Sequence, residues 1–271
     1  DKLYELKFGL SVVPEFLREG NALDDFMNPD KIVIGGSDEN SIIFVKKIFQ
    51  NFKDKCEFIE TSLESAELIK YTNNAFFSML ISFSNEIANI SEKIPEVDSH
   101  EILKALVSDK RITSIINNER IVPSLESYLI PGCGFGGSCF PKDVQAILDY
   151  ANKNKIKTPL LKAILEINAE RPNKMVILSE SILGTLKNKK VSILGLTFKP
   201  ETDDLRSSPA LDAIEILLEK GANISTFDPI LKSKPDLVKL PKECKICFRI
   251  EDALRDSDVA MIFTKWSEFK S

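Results

Sequence analysis

Apolar residues along the chain follow two rhythms, and the change from one to the other sets the expected architecture. Lys31-Ile32-Val33-Ile34-Gly35-Gly36 is a β-branched run ending in glycines, which predicts a short buried strand. Ile42, Val45, Ile48 and Phe49 are spaced for a helix over 41–52, and 56–59 predicts a second short strand. This strand–helix–strand order reads as the tail of an α/β unit that lacks its beginning. Residues 62–93 then hold no Pro or Gly, and Pro95 closes the stretch, so one long helix is expected, about 45 Å at 1.5 Å per residue. Ser62, Glu64 and Ser65 supply capping chemistry at its start. Its apolar residues (Leu68, Ile69, Phe76, Phe77, Leu80, Ile81, Phe83, Ile87) lie nearly all round, which predicts burial on several sides, with the three phenylalanines in a core. Further helices are expected over 99–106, 141–154 and 160–183. From Lys189 the rhythm returns to strand (191–195), helix (209–220, stopped by Gly221), strand (223–227) and a later strand at 258–263, which is a second α/β domain.

Composition narrows the class. A chain of 271 residues can bury a substantial core in two or three units, and 43% hydrophobic with 28% charged residues is ordinary for a soluble protein. No apolar run approaches about eighteen residues, so no membrane span is expected. A net charge of -5 argues against nucleic acid as a partner while leaving room for a local basic pocket. Five cysteines do not make a disulfide framework and fit a reducing, cytoplasmic setting; Asp1-Lys2-Leu3 shows no signal peptide.

The stretch Gly134-Phe135-Gly136-Gly137-Ser138-Cys139-Phe140-Pro141-Lys142-Asp143 carries the most chemistry. Its glycines allow positive φ and close approach to a ligand, and Pro141 suits a first helical turn. Cys139 then sits at a helix start, where unpaired N–H groups favour a thiolate, with Lys142 adjacent and Asp143 one turn along. A buried structural cysteine after a glycine turn is the competing reading. Glu15 and Glu19 stand four apart, as do Lys70 and Asn74 on one helix face; alone these read as solvated or polar faces. Cys244-Lys245-Ile246-Cys247 is a lone C-x-x-C with no second pair or nearby histidine, so no metal site is expected. Cys133 reads as a packed thiol, and His100, the only histidine, as a capping or surface residue.

Five segments taken together resemble one family: PEFLREG (14–20), NPDKIVIGG (28–36), ESAELIKYTNNAF (64–76), GFGGSCFPKD (134–143) and GLTFKPETDDLRSSP (195–209). Their order is similar to that in the UDP-glucose 6-dehydrogenase family, whose wider group acts on GDP-mannose and UDP-N-acetylhexosamines. The resemblance implies an α/β fold with a truncated Rossmann-like N-terminal unit (1–61), a central helical region around the long spine helix (62–186), and an incomplete Rossmann-like domain that binds the nucleotide sugar (187–271). It implies NAD as cofactor, UDP-glucose as substrate, and a homodimer or higher homo-oligomer through the 62–93 helix. By resemblance Cys139 is the nucleophile that carries the sugar as a thiohemiacetal and then a thioester. Lys70, Asn74 and Asp143 serve the oxyanion and the water, and Glu15 is the base for hydrolysis. Glu15, Phe16, Leu17, Glu19, Lys70, Asn74, Tyr128, Phe135, Gly136, Phe198 and Lys199 resemble substrate contacts, and Arg111 an arginine that reaches a neighbouring subunit's substrate. Glu19, Lys142 and Arg206 resemble cofactor contacts.

Three features depart from the family pattern. No G-x-G-x-x-G follows a strand, so the dinucleotide-binding half is expected before Asp1 and the piece alone is expected to be inactive. The C-terminal sheet ends early. About a dozen extra residues, roughly 113–125, separate Arg111 from the cysteine loop, either as a surface loop or as a change to the pocket. GGSCFPKD, with Ser138 before the cysteine, looks more like the UDP-glucose members than the N-acetylhexosamine ones, and GDP-mannose or another nucleotide sugar is the alternative substrate. A non-catalytic nucleotide-sugar-binding and dimerisation module remains the reading from another class.

Overall fold

The computed structural model describes residues 8–270, and their contacts divide the chain into two compact units, residues 1–74 and 75–271. In the first, strand β1 (Ser11–Val12) pairs antiparallel with β2 (Lys31–Gly36) after helix α1 (Ala22–Met27), and β2 pairs parallel with β3 (Glu57–Thr61) across helix α2 (Glu39–Ile48). The expected strand–helix–strand is there, with β1 and α1 added. Helix α2 starts ahead of the expected residue because Asp38 caps it: its carboxylate accepts the Ser41 N–H at 2.9 Å and the Ser41 hydroxyl at 2.6 Å. These bonds hold the Asp38 carboxyl below its usual pKa. The two glycines ending β2 serve packing. A Cβ on Gly35 would lie 2.7 Å from Ala66 Cβ, and one on Gly36 would lie 2.4 Å from Ile42.

Helix α3 (Leu63–Ser91) begins in the first unit and continues into the second. Ser62 caps it, accepting the Ser65 N–H at 3.2 Å. Its burial corrects the expectation of an apolar core helix. The buried positions in the second unit are small or polar (Ala75, Ser78, Ser82, Ser84, Asn85, Ala88), while Phe76 and Phe83 are 47% and 41% exposed. Helices α4 (Ser99–Val107), α5 (Phe140–Lys153) and α6 (Pro159–Leu183) complete the helical part. Ser82 donates to the Ile164 carbonyl, Asn89 accepts from Arg171, and Lys174 meets Glu92, so α3 and α6 run alongside in the same direction. The extra segment near 113–125 is a hairpin of β4 (Ser114–Ile116) and β5 (Glu119–Ile121), exposed throughout and turning at Asn117 and Asn118, both with positive φ.

The second unit also holds an all-parallel sheet of β6 (Lys190–Leu194), β7 (Asn223–Phe227), β8 (Cys244–Cys247) and β9 (Val259–Ile262), in the order β8-β7-β6-β9. Helix α7 (Pro209–Glu219) crosses from β6 to β7, and the short α8 (Ile250–Leu254) precedes β9. Counted from the first strand this order is 3-2-1-4, the half-sheet of a doubly wound nucleotide-binding fold. Val191, Ile193, Ile214, Leu217, Ile224 and Met261 form its core, with Val176 of α6 packed among them. Each of the larger of these side chains contributes about 1.5–3 kcal/mol by leaving water. The C-x-x-C thus lies along strand β8, with Cys247 buried and Cys244 half-buried.

Asp228, just after β7, holds the sheet's carboxyl end together. It is fully buried, and its carboxylate accepts the N–H groups of Leu196 (2.6 Å), Thr197 (3.1 Å) and Ile230 (3.0 Å) and the Trp266 indole N–H (3.3 Å). Asp228→Asn turns one acceptor towards these donors as an N–H, and an unsatisfied buried donor costs about 1–3 kcal/mol. The variant is expected to unfold several degrees lower in a thermal melt monitored by circular dichroism, whereas Asp256→Asn, on the surface, leaves the midpoint unchanged.

Candidate active site

Cys139 is the N-cap residue of α5, with Pro141 in the first turn, as the sequence predicts. The Cys139 carbonyl accepts the Asp143 N–H at 2.9 Å, the thiol is exposed, and Ser138 Oγ lies 3.6 Å from the sulfur. Gly137, Ser138, Cys139, Lys142, Arg206 and Ser207 line an open cleft of about 680 Å³. Lys142 leans along the helix to meet the buried Asp143 carboxylate at 2.8 Å, placing one cation and one acid within a turn of the sulfur.

The loop after β6 closes on this cysteine loop. Gly137 donates its N–H to the Arg206 carbonyl at 2.8 Å. A Cβ on Gly136 would lie 2.3 Å from the Ser207 carbonyl oxygen, and one on Gly137, at φ 80°, would meet the Phe198 ring at 2.8 Å. Two glycines are therefore required where two backbones touch. Arg206 is held as a fork on Asp204, Nε to Oδ1 at 2.9 Å and Nη2 to Oδ2 at 2.8 Å, with its side chain largely exposed at the cleft. In open α/β sheets ligands bind outside the carboxyl ends of the strands where the strand order reverses, here between β6 and β9. Gly195 sits at that point, φ 84°, with Thr264 2.5 Å from where a Cβ would stand.

A second cluster lies in the first unit. Lys70 Nζ donates to the Glu15 carboxylate at 3.0 Å and to the Glu15 carbonyl at 2.6 Å, while Leu17 N–H donates to the other carboxylate oxygen at 2.7 Å. The Phe16 ring lies under two ammonium groups, Lys31 at 4.4 Å and Lys70 at 5.6 Å from its centroid. Asn74 is buried one turn beyond Lys70 on α3.

Comparison with known proteins identifies the fold's relatives. Residues 64–170 match the central domain of the UDP-glucose/GDP-mannose dehydrogenase family, 192–271 its UDP binding domain, and 1–53 its NAD binding domain. The chain belongs to this family. It is 39% identical over 273 residues to a UDP-glucose 6-dehydrogenase of Rickettsia bellii, covering 97% of this chain and 58% of that one. It is 37% identical to the UDP-glucose 6-dehydrogenase TuaD of Bacillus subtilis, covering 95% and 52%. A solved UDP-glucose dehydrogenase from Pyrobaculum islandicum superimposes with a TM-score of 0.87 at 35% identity, over 98% of this chain and 58% of that one. The chain thus spans little more than half the length of the relatives it matches. Among the described residues, no helix is long and apolar enough to cross a membrane.

Within this UDP-glucose/GDP-mannose dehydrogenase chain the expected residues fall into groups. Cys139, Lys142, Asp143, Gly136, Phe198 and Arg206 come together around the cleft loop, and Lys199 follows Phe198 on the same segment. Glu15, Phe16, Leu17 and Lys70 form the cluster in the first unit, with Glu19 on the loop that follows and Asn74 further along α3. Phe135 is 5% exposed and packs on Phe140 at 6.0 Å, and both its backbone groups bond to Asn168, which anchors the loop from behind. Tyr128 stacks on Phe77 at 4.5 Å. Arg111 is 86% exposed and forked on its own Asp109, holding that carboxyl well below the usual range. His100 donates its backbone N–H to Asp98, the residue that caps α4.

Three residues escaped the sequence reading: Asn85, Asn168 and Arg171, which grip the loop from behind. Cys133, in the gripped stretch, is pushed up to about 11 by burial, against the pull of the nearby Arg171 charge. At pH 8 only about one Cys133 in a thousand is thiolate, and the fraction rises as pH approaches 11. Iodoacetamide at pH 8 is expected to alkylate exposed Cys139 and spare Cys133, read by peptide mass spectrometry. Equal labelling of the two would contradict this burial.

Proposed function

We propose that this chain is the substrate-handling part of an NAD-dependent dehydrogenase that oxidises UDP-glucose to UDP-glucuronate in two steps, with Cys139 as the nucleophile. The observation that carries the reading is an exposed thiol at the N-terminus of α5, in a cleft with Arg206, beside the carboxyl end of a nucleotide-binding sheet. A primary alcohol becomes an acid by losing four electrons, with an aldehyde halfway. The Cys139 thiolate adds to the aldehyde carbon, keeping the reactive species bound as a thiohemiacetal, and its oxidised form is a thioester. Water then adds to the thioester carbonyl, the carbon–sulfur bond breaks, and the thiolate leaves as the acid forms.

In this reading Lys70 and Asn74 donate to the oxygen that becomes negative, and Asp143 and Glu15 handle the protons of the attacking water. Phe16, Leu17, Tyr128, Phe135, Gly136, Phe198, Lys199 and a second subunit's copy of Arg111 bound or shape the substrate pocket, and Glu19, Lys142 and Arg206 face the cofactor. Two molecules of NAD, one for each oxidation step, would accept the two hydrides removed. Among the described residues no dinucleotide cradle forms: the glycines ending β2 are closed off by packing, and buried Asp228, just after β7 where a ribose-binding acid is sought, is consumed by its own loop. We read 1–61 as NAD-binding-domain sequence, 62–186 as the catalytic and dimerisation domain, and 187–271 as the UDP-sugar domain, a reading that the family matches over 1–53, 64–170 and 192–271 support.

Phe76, Phe83 and Ile90, each seven residues apart and all exposed on α3, support a second copy of the chain as a partner. Five free thiols support a reducing, cytoplasmic setting. In the full-length protein Cys139→Ala is expected to abolish acid formation while leaving UDP-glucose binding within threefold by calorimetry; acid formation by that variant would sink the reading. Glu15→Gln is expected to accumulate a covalent adduct on the Cys139 peptide, detectable by mass spectrometry after a quench. Tighter calorimetric binding of GDP-mannose than of UDP-glucose would move the substrate to that sugar. Binding with no oxidation of any sugar by the wild type would favour the non-catalytic module. Phe76→Asp with Phe83→Asp is expected to yield monomers in analytical ultracentrifugation.

A further inference from the structure

Three side chains outside the cleft hold the backbone of the cysteine loop, and each does so with groups shaped for the purpose. Asn168 of α6 makes a two-point bond to Phe135: its Oδ1 accepts the Phe135 N–H at 2.7 Å, and its Nδ2 donates to the Phe135 carbonyl at 2.9 Å. Asn85 of α3 accepts the Gly132 N–H at 2.8 Å, and Arg171 donates Nε–H to the Gly132 carbonyl at 2.9 Å. Arg171 is itself braced by Asn89 at 2.9 Å and is 5% exposed. Gly134, between the two gripped residues, has φ 98°, and a Cβ there would lie 2.5 Å from Asn168 Oδ1. The grip therefore requires glycine at that position.

Helix α6 departs from regularity at the same place. Pro172 lies inside it, and proline lacks the N–H that residue 172 of an α-helix sends to the carbonyl of residue 168. The helix thus loses one rung of its ladder at the residue that grips the loop. Only three residues separate Phe135 from Cys139, and both of Phe135's backbone groups are fixed, so Asn168 sets where the stretch to the thiol begins.

We propose that Asn168, supported by Arg171 and Asn85, is a positioning residue that sets the place of Cys139 without touching substrate. The inference rests on the dehydrogenase reading for its catalytic half. Two readouts on the full-length protein separate the two ideas. Asn168→Ala is expected to speed hydrogen–deuterium exchange of the 132–139 peptide roughly tenfold or more, through loss of two bonds, with peptides of the β6–β9 sheet unchanged. The same variant is expected to lower kcat for sugar oxidation about a hundredfold, the scale of a displacement near 1 Å, with KM within threefold. Asn168→Asp, of the same size, keeps the acceptor for the Phe135 N–H and is expected to fall between wild type and alanine in both readouts.

Unchanged exchange at 132–139 in the alanine variant would overturn the proposal. So would faster exchange with unaltered kcat, or a loss of kcat shared equally with faster exchange everywhere. If the wild type oxidises no nucleotide sugar, the dehydrogenase reading falls and takes the catalytic half with it, while the exchange data still decide whether Asn168 holds the loop.

Discussion

The Cys139 thiol stands open, as its proposed role as nucleophile requires, so packing around the sulfur cannot fix it, and its order has to come from the backbone behind. The loop over 132–139 shows how this is met. Asn85, Asn168 and Arg171 take the polar groups of Gly132 and Phe135 on one side, and the Arg206 carbonyl takes the Gly137 N–H on the other. Each such bond is worth only about 1 kcal/mol net, but a buried partner left without it loses more, which makes the bonded arrangement much the best one. Glycine is entropically costly in an ordered loop, and here it is imposed by distance: Asn168, Ser207 and Phe198 occupy the space a Cβ would need at Gly134, Gly136 and Gly137.

The same demand explains the composition of α3. A helix that lends amides and hydroxyls to its neighbours cannot also line that face with leucine. Ser78, Ser82 and Asn85 are therefore buried, and Ser82 and Asn85 reach the carbonyl of Ile164 and the N–H of Gly132. Met79 and Ile81 still pack on the core, but Phe76, Phe83 and Ile90 lie on another face, about half exposed at a seven-residue repeat. A helix inverted in this way gains little from its own chain's core on that face, and the proposed second copy is where such area would be removed from water.

How much of this was legible depended on whether apolar periodicity or polar reach carried the signal. The long helix, the α5 start at Cys139 and the β6–α7–β7 unit all follow from spacing and from Pro141 and Gly221, and the structure has them. Strand β8 was missed because its two cysteines drew attention as a metal motif. The hairpin was present as Asn117-Asn118 between Ile115-Ile116 and Glu119-Arg120-Ile121-Val122, a turn signal for two left-handed residues, yet it read as an undefined insertion. Asn85, Asn168 and Arg171 could not be found by pattern, since their partners are main-chain groups 47, 33 and 39 residues away. The orientation of the helix toward Phe76 failed for a related reason: counting apolar residues does not say which face a neighbour's polar groups will claim.

Arg111 and Arg206 share a further device that follows from local sequence. Asp109-x-Arg111 and Asp204-x-Arg206 fold identically: the aspartate accepts the arginine backbone N–H at 2.8 and 2.9 Å, then the Nε–H at 2.9 Å in both, then an Nη2 bond at 2.7 and 2.8 Å. Both guanidinium groups are largely exposed, so what the pairing fixes most clearly is geometry. The bracket takes one edge of the guanidinium and fixes its plane. An anion that meets Arg206 at the cleft finds a side chain already ordered, so binding does not have to quench the rotamers of a long, free arginine. A chain with net charge -5 can in this way present a firm cationic edge at one point while remaining acidic over the whole molecule.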